Sequence, residues 1–413
     1  MKLNKHALHL ACLAALGSMG SAHAVQVAGE ALEVYGALYP QYQITSFADG
    51  STAPLSNLTA GKVTPGVGTA PTLVNKTQVN WVNSYIGFKG QRTFGDIKAG
   101  YDFQAVVMKN GTTPTETTGF SEARDAFVFI SHNSLGTLQM GQMDTIYKEF
   151  GDRVRMLGIS SSNFVSTSGV LSGPGWKSQN AVAGSTVGVT TFNTRINGQV
   201  RYLSPTWNGI QVGLSLRPDP NASATSDASL QAMGARWSNA NYYVGVAQEV
   251  HNDYRAFSGT IAPAGTTIFN ASTTRSKDTA TRLTFGYTAE KFRLGADFAN
   301  LKYTEDGAVG KFANYETNTW QISGEYSLNP QVTLAANYAN GSEGSCALVG
   351  GAACTTTGLG GSLVSLGARY DYDKNVGFFA IYGQNNVGNS AVYASGNVGG
   401  NVTNMAIGLN VKF

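Results

Sequence analysis

From Asn401 to Phe413 the chain alternates in character at nearly every residue. Met405, Ile407, Leu409, Val411 and Phe413 are apolar, and Ala406, Gly408, Asn410 and Lys412 between them are small or polar. Successive side chains of a strand point to opposite faces, so the stretch predicts a strand with one apolar and one wet face. As the edge of an open sheet it would offer unpaired N–H and C=O groups to other chains. Pairing it with the first strand removes that edge. Hydrocarbon makes such closure compulsory, because lipid satisfies no backbone polar group. The expectation is an all-β chain closed into an antiparallel transmembrane β-barrel, apolar outside and polar inside.

The same pattern recurs in about sixteen segments. Val34, Gly36 and Leu38 oppose Glu33, Tyr35, Tyr39 and Gln41. Val82, Ile86 and Phe88 oppose Asn83, Gly87 and Lys89. Ile210, Val212, Leu214 and Leu216 oppose Gln211, Gly213, Ser215 and Arg217. Leu283 and Phe285 oppose Arg282 and Thr284. Turn residues separate pairs of segments at Phe94-Gly95-Asp96, Asn208-Gly209, Asn239-Ala240-Asn241, Asn329-Pro330 and Lys374-Asn375. Long Gly/Ser/Thr-rich connections separate the hairpins. Strands near ten residues suit a tilted bilayer crossing better than a sandwich, whose strands run about five or six. Alternating short and long connections fit an outer-membrane barrel. An even strand number puts both termini on one side, the periplasmic one.

The first residues predict a secretory leader. Lys2 and Lys5 precede an apolar run from Ala7 to Met19, and Ala22-His23-Ala24 has the small-residue form of a cleavage site. Residues 1–24 are therefore read as a signal peptide and 25–413 as one barrel domain, since no linker or composition shift divides it. His6, His9, His23 and Cys12 belong to the leader. With a formal net charge of +3 and only 13% charged residues, the balance is near neutral and argues against a nucleic-acid partner. Past the leader no apolar run is long enough for a transmembrane helix.

Several stretches resemble the general diffusion porins of Gram-negative bacteria, in their β-proteobacterial form. They are Leu32-Glu33-Val34-Tyr35-Gly36, Ile86-Gly87-Phe88-Lys89-Gly90, Ala123-Arg124-Asp125-Ala126-Phe127-Val128, Leu135 to Gly141, Val200-Arg201-Tyr202-Leu203-Ser204-Pro205 and the terminal Phe413. The resemblance implies a sixteen-stranded barrel in the outer membrane and a homotrimer among outer-membrane lipid and lipopolysaccharide. It also implies a third extracellular loop folded into the lumen. Residues 144–192 suit that loop, because no alternating pattern resumes between Met143 and Asn193. A structureless stretch of that length inside a compact fold otherwise counts against the assignment.

Charge rings at a constriction select ions, and low-dielectric walls focus their field. Parity places Lys89, Lys98, Arg195, Arg201, Arg217, Arg282, Arg293 and Arg369 inside, with Asp102, Asp297, Glu325 and Asp371. The parity of Arg124 is ambiguous. The resemblance assigns a basic wall to Arg124, Arg195 and Arg201, and parity adds Lys89. The facing acidic loop begins with Asp144, Glu149 and Asp152. Tyr85 and Gln142 stand where the family often has Arg, which predicts weak selectivity, mildly for anions. Cys346 and Cys354, with seven residues between them, are expected to pair in an oxidising compartment. No metal ligand set, cofactor motif or nucleophile elbow is found, so no enzyme is expected. The function expected is passive diffusion of ions and small hydrophilic solutes. A substrate-selective channel, or an adhesin-like or structural barrel, is the alternative.

Overall fold

The computed structural model describes residues 25–48, 58–59, 62–63, 76–81, 83–107, 120–151, 153, 157, 192–257, 274–354, 356–388 and 401–413. The predicted leader, Val82, Asp152, residues 154–156 and residues 158–191 lie outside the described residues. Among the described residues sixteen strands close into one antiparallel barrel. In chain order they are β1 (Glu33–Leu38, continued by Pro40–Ala48), β2 (Lys76–Trp81, continued by Tyr85–Phe94), β3 (Ile97–Val107), β4 (Phe120–His132), β5 (Gly136–Asp144), β6 (Arg195–Leu203), β7 (Ile210–Arg217) and β8 (Leu230–Ser238). The second half comprises β9 (Tyr242–Asn252), β10 (Ser276–Thr288), β11 (Phe292–Glu305), β12 (Phe312–Ser327), β13 (Val332–Gly341), β14 (Gly361–Asp371), β15 (Val376–Val387) and β16 (Asn401–Lys412).

The ring closes where the alternation predicts. β16 pairs with β1 from Asn401↔Ala48 to Gly408↔Gln41, and again at Leu38↔Val411 and Ala37↔Lys412. Phe413 and Gly36 exchange both backbone hydrogen bonds, at 2.9 and 3.1 Å. Both ends of the barrel sequence thus meet at the rim that carries the short turns.

Neighbouring residues settle which face is which. Phe285, Ile322, Leu366 and Ile407 are 48%, 55%, 52% and 63% exposed, while Thr284, Ser323, Ser365 and Ala406 beside them are 2%, 3%, 0% and 3%. Apolar side chains point out and small or polar ones in, as lipid outside requires. Aromatic pairs mark the outer surface: Tyr242–Tyr287 with ring centroids 5.2 Å apart, Phe292–Tyr326 at 4.7 Å and Trp320–Tyr338 at 5.2 Å.

Three departures from plain alternation position the interior. β2 is broken at Asn83, whose φ of 59° no regular strand adopts. Val79 faces out before the break and Phe88 after it, so the side-chain parity resets there. β1 is interrupted opposite, and the freed Tyr39 N–H donates to Ser84 Oγ at 2.8 Å. Between β3 and β4 the register shifts, with Phe103↔Ala126 followed by Ala105↔Ala123, so Arg124 and Asp125 together oppose one residue. Such a bulge turns two consecutive residues toward one face. It resolves the parity of Arg124 toward the lumen. A third shift lies between β5 and β6, at Gly198, whose φ of 73° an L side chain tolerates poorly.

The interior is not uniformly polar. Leu230, Ala232, Ala247, Ala280, Ala299, Leu301 and Tyr303, all on inward faces of β8 to β11, are buried with Ile146, Tyr147, Phe150 and Phe192. Simple apolar-out, polar-in alternation fails on this wall because protein, not water, covers it.

Candidate functional site

After β5 the chain turns inward as a single helical turn, α1 (Ile146–Glu149). Thr145 N–H donates to Thr194 O at 3.2 Å, tying the start of the segment to its end. Ile146 N–H donates to Ser215 Oγ on β7 at 3.2 Å, and its side chain fills the space a Cβ would need at Gly213 and Gly234. Tyr243 on β9 donates to Phe150 O at 2.6 Å. Arg236 of β8 lies over the Phe150 ring at 4.8 Å, and Arg153 lies over the Tyr243 ring at 4.3 Å. Gly151 abuts the guanidinium of Arg282, which is itself held by Asp297 at 2.7 Å and Asn193 Oδ1 at 2.7 Å.

Leu157 sits on the other side. It is fully buried with Ala37, Tyr39, Ala335, Phe379, Ile381 and Ala406, which belong to the β1, β13, β15 and β16 wall. Its N–H donates to Glu325 on β12 and its carbonyl accepts from Arg369 on β14 at 2.7 Å. Arg293 holds Glu325 from behind at 3.0 Å. These contacts keep a left-handed backbone, φ 56°, at a leucine.

Around α1 the expected basic and acidic residues meet in ion pairs. Arg195 binds Asp125 at 2.6 Å and Asp144 at 3.2 Å, and Lys148 binds Asp144 at 3.1 Å. Arg201 donates to Gln139 Oε1 and to the Asp144 carbonyl, each at 2.8 Å, with Glu149 at 3.8 Å. Arg236 also reaches Glu149 at 3.8 Å. Arg124 stands beside them with its guanidinium over Tyr85, 4.9 Å from the ring centroid. Lys89 lies apart from this cluster. It pairs with Glu33 at 2.8 Å and caps the Tyr35 ring at 4.8 Å. Tyr35 meets Tyr85 edge-on at 6.0 Å and donates to Asp102. Asp152 lies outside the described residues. Sequence reasoning missed Asp125 and Arg236. Asp125 needs the β4 bulge to share a face with Arg124, and no local signal marks Arg236.

Cys346 and Cys354 form a disulfide, with Cα atoms 5.2 Å apart. Ser345–Leu348 and Ala353–Cys354 pair as a small hairpin that continues along the end of β12, Tyr315↔Cys346.

A family model described as Gram-negative porin matches residues 10–390. The chain belongs to the Gram-negative porin family. The barrel, the outward apolar face and the charged interior are those of a diffusion channel of the outer membrane. Solved structures share this porin's fold. The anion-selective porin from Comamonas acidovorans superposes with a TM-score of 0.66 at 14% identity, covering 93% of this chain and 99% of that one. OmpF of Salmonella typhi, solved with daunomycin, gives 0.61 at 15% identity over 95% and 100%. The trimer form of OmpT from Vibrio cholerae gives 0.59 at 14% identity over 92% and 99%. No curated protein sequence matches this porin significantly.

Proposed function

We propose that the porin carries ions and small hydrophilic solutes passively down their gradients, with a mild preference for anions, through a lumen narrowed by residues 144–192. The observation that carries this reading is the span of the segment after β5. Ile146 packs against the inward faces of β7 and β8, and Leu157 packs against the wall of β1, β13, β15 and β16. A chain joining the two crosses the bore. Arg124, Arg195, Arg201 and Lys89 form the basic part of the wall, and Asp144, Glu149 and Asp152 belong to the segment. Low-dielectric surroundings focus the field of such charges on a passing ion.

The short-turn rim, where Phe413 meets Gly36, is the periplasmic one, so both termini of the barrel lie there. Three copies assemble as a homotrimer, in keeping with the trimer form solved for the Vibrio cholerae protein. The outward apolar face meets outer-membrane lipid and lipopolysaccharide. A channel rather than an enzyme is favoured by the two histidines of the barrel. His132 bonds Ser134 Oγ at 3.0 Å in a short turn, and His251 is fully buried between the rings of Phe192 and Tyr254. Among the described residues His132 has no carboxylate partner to complete a triad with the exposed Ser134, and His251 is sealed from solutes.

Purified protein in a planar bilayer tests the reading. Open-channel current with a reversal potential displaced modestly toward chloride in a KCl gradient is expected. A closed barrel, or a strong cation preference, overturns it.

A further inference from the structure

The lipid-facing side of β9 to β12 changes character part-way up the barrel. Val246, Leu283, Phe298 and Trp320 form one exposed row across the four strands, paired in register. Two residues further from the short-turn rim the row reads Gln248, Thr281, Asn300 and Asn318. Beyond it stand Lys302, beside Thr279 and Glu316, and then Lys277, beside Asn252 and Thr304. Along β11 the outward apolar side chains thus run only from Phe292 to Phe298. Six steps of a tilted strand rise about 15 Å, short of the ~25 Å apolar band of a transmembrane barrel. The polar row therefore lies where hydrocarbon alone would leave its side chains unmet, which is costly.

Lys302 is ten residues from Phe292 on β11, and Lys277 ten from Tyr287 on β10. Ten steps rise about 25 Å, which brings both ammonium groups to the level of lipid headgroups. Because Thr279 pairs with Lys302, the two lysines are diagonal neighbours with backbones about 7–8 Å apart, so one anion can lie between their stems. Their charge is barely offset. Lys302 reaches Glu316 only at 3.9 Å, Glu316 also accepts from Asn300 at 2.9 Å, and among the described residues Lys277 makes no ion pair. On the other side Leu214 and Met233 continue the Gln248 row onto β7 and β8. There the outer wall has a dent of about 520 Å³ between Val212, Leu214, Met233 and Val246, with Gln248 and Thr281 at its upper edge. Gly213 and Gly234, which admit Ile146 from within, lie in its floor.

We propose, on the reading that this face meets outer-membrane lipid and that the short turns are periplasmic, that β7 to β12 carry a docking site for one phosphorylated glycolipid of the outer leaflet. Lys277 and Lys302 take a phosphate on its sugar. Gln248, Thr281, Asn300 and Asn318 take the hydroxyl and amide groups of its acyl chains just beneath, and the dent takes one chain. Charge complementarity selects a phosphate, since two ammonium groups face a single carboxylate already shared with Asn300. The polar row selects a glycolipid with amide-linked hydroxyacyl chains over a phospholipid. Ester oxygens only accept, whereas these four side chains both donate and accept.

Native mass spectrometry of the detergent-solubilised porin, titrated with bisphosphorylated lipid A, tests this. One tightly held lipid per chain is expected for the wild type. The double variant K277Q/K302Q should bind it roughly 30-fold more weakly. K291Q, in the short turn at the opposite rim, should bind as the wild type does. Dephosphorylated lipid A and phosphatidylglycerol should each bind the wild type more weakly than the bisphosphorylated lipid. Heat-modifiable mobility on gels confirms that each variant is folded. Equal affinity in K277Q/K302Q and wild type, a loss as large in K291Q, no preference for the bisphosphorylated lipid, or a changed number of chains per complex in place of lost lipid overturns the inference and leaves the lipid-facing wall standing. A wild-type protein that does not insert into lipid vesicles overturns the reading beneath it.

Discussion

Tyr243 on β9 donates a 2.6 Å hydrogen bond to the carbonyl of Phe150, just past α1, and so fastens the inward segment to the barrel wall. The ring of the same tyrosine carries Arg153 on its face. Removing the hydroxyl leaves a buried carbonyl unmet, which costs about 1–3 kcal/mol. Tyr243→Phe should therefore leave the barrel folded but loosen the segment. Single-channel records should show more open-state noise and a larger mean conductance than wild type. An unchanged trace would mean that this bond does not hold the segment.

Gly213 and Gly234 make room for Ile146, and a Cβ at Gly234 would come within 2.7 Å of the Val246 carbonyl and 3.1 Å of Ile146 Cγ2. Gly213→Val should displace α1 from the wall rather than unfold β7, because the strand accepts valine readily. The measurement is uptake of sugars of graded size into proteoliposomes. A raised size limit is expected, and an unaltered limit with native stability would count against α1 as part of the constriction.

Lipid contact at Ile322 can be probed by charge. Ile322→Lys should destabilise the barrel by about 2–4 kcal/mol near the bilayer midplane, whereas Ile322→Leu should be nearly neutral. Urea-induced unfolding in lipid vesicles reads the difference. A lysine tolerated as well as leucine would place this face in water.

The Cys346–Cys354 disulfide closes a short ring beyond the β12–β13 wall. In the chain-entropy model it is worth about 2–3 kcal/mol to the hairpin. Replacing both cysteines by serine should speed proteolysis in the 342–360 connection and leave conductance unchanged. Altered conductance would tie the hairpin to the pore.

Asp219, in the connection after β7, accepts backbone N–H bonds from Asn221 at 2.9 Å and Ala228 at 2.8 Å, which hold its carboxyl below the usual range. A depressed folded-state pKa gives stability that is present above the unfolded value and lost as pH falls through the folded one. Acidification below the ordinary carboxylate range should therefore open this connection, read as faster amide exchange at Asn221 and Ala228. Asp219→Ala should show the same exchange already at neutral pH. Protection that persists unchanged in the variant would mean the caps do not hold the loop.

The reach of the sequence differs between the wall and the site. Along β7, β10, the Thr319–Tyr326 part of β12 and the Met405–Asn410 part of β16 the side chains alternate as expected, since lipid on one side leaves no other solution for a strand. The signal fails where neighbours are not water and lipid. Leu301 and Tyr303 point inward because α1 and Phe192 cover them, which no reading of β11 alone could foresee. The parity of Arg124 depends on an extra residue accommodated against β3. Asp125 and Arg236 join the site only through contacts with a residue 70 positions away and with one on α1.

The sequence by itself determined the closed barrel, its outward face and its short turns, because period-two patterning and backbone satisfaction in hydrocarbon act locally on each strand. Only the tertiary structure decided where Ile146 and Leu157 pack and which arginines meet carboxylates. Those outcomes depend on bulges and on partners far away in the chain, and a side chain's charge has no meaning for selectivity until its nearest opposite charge is known.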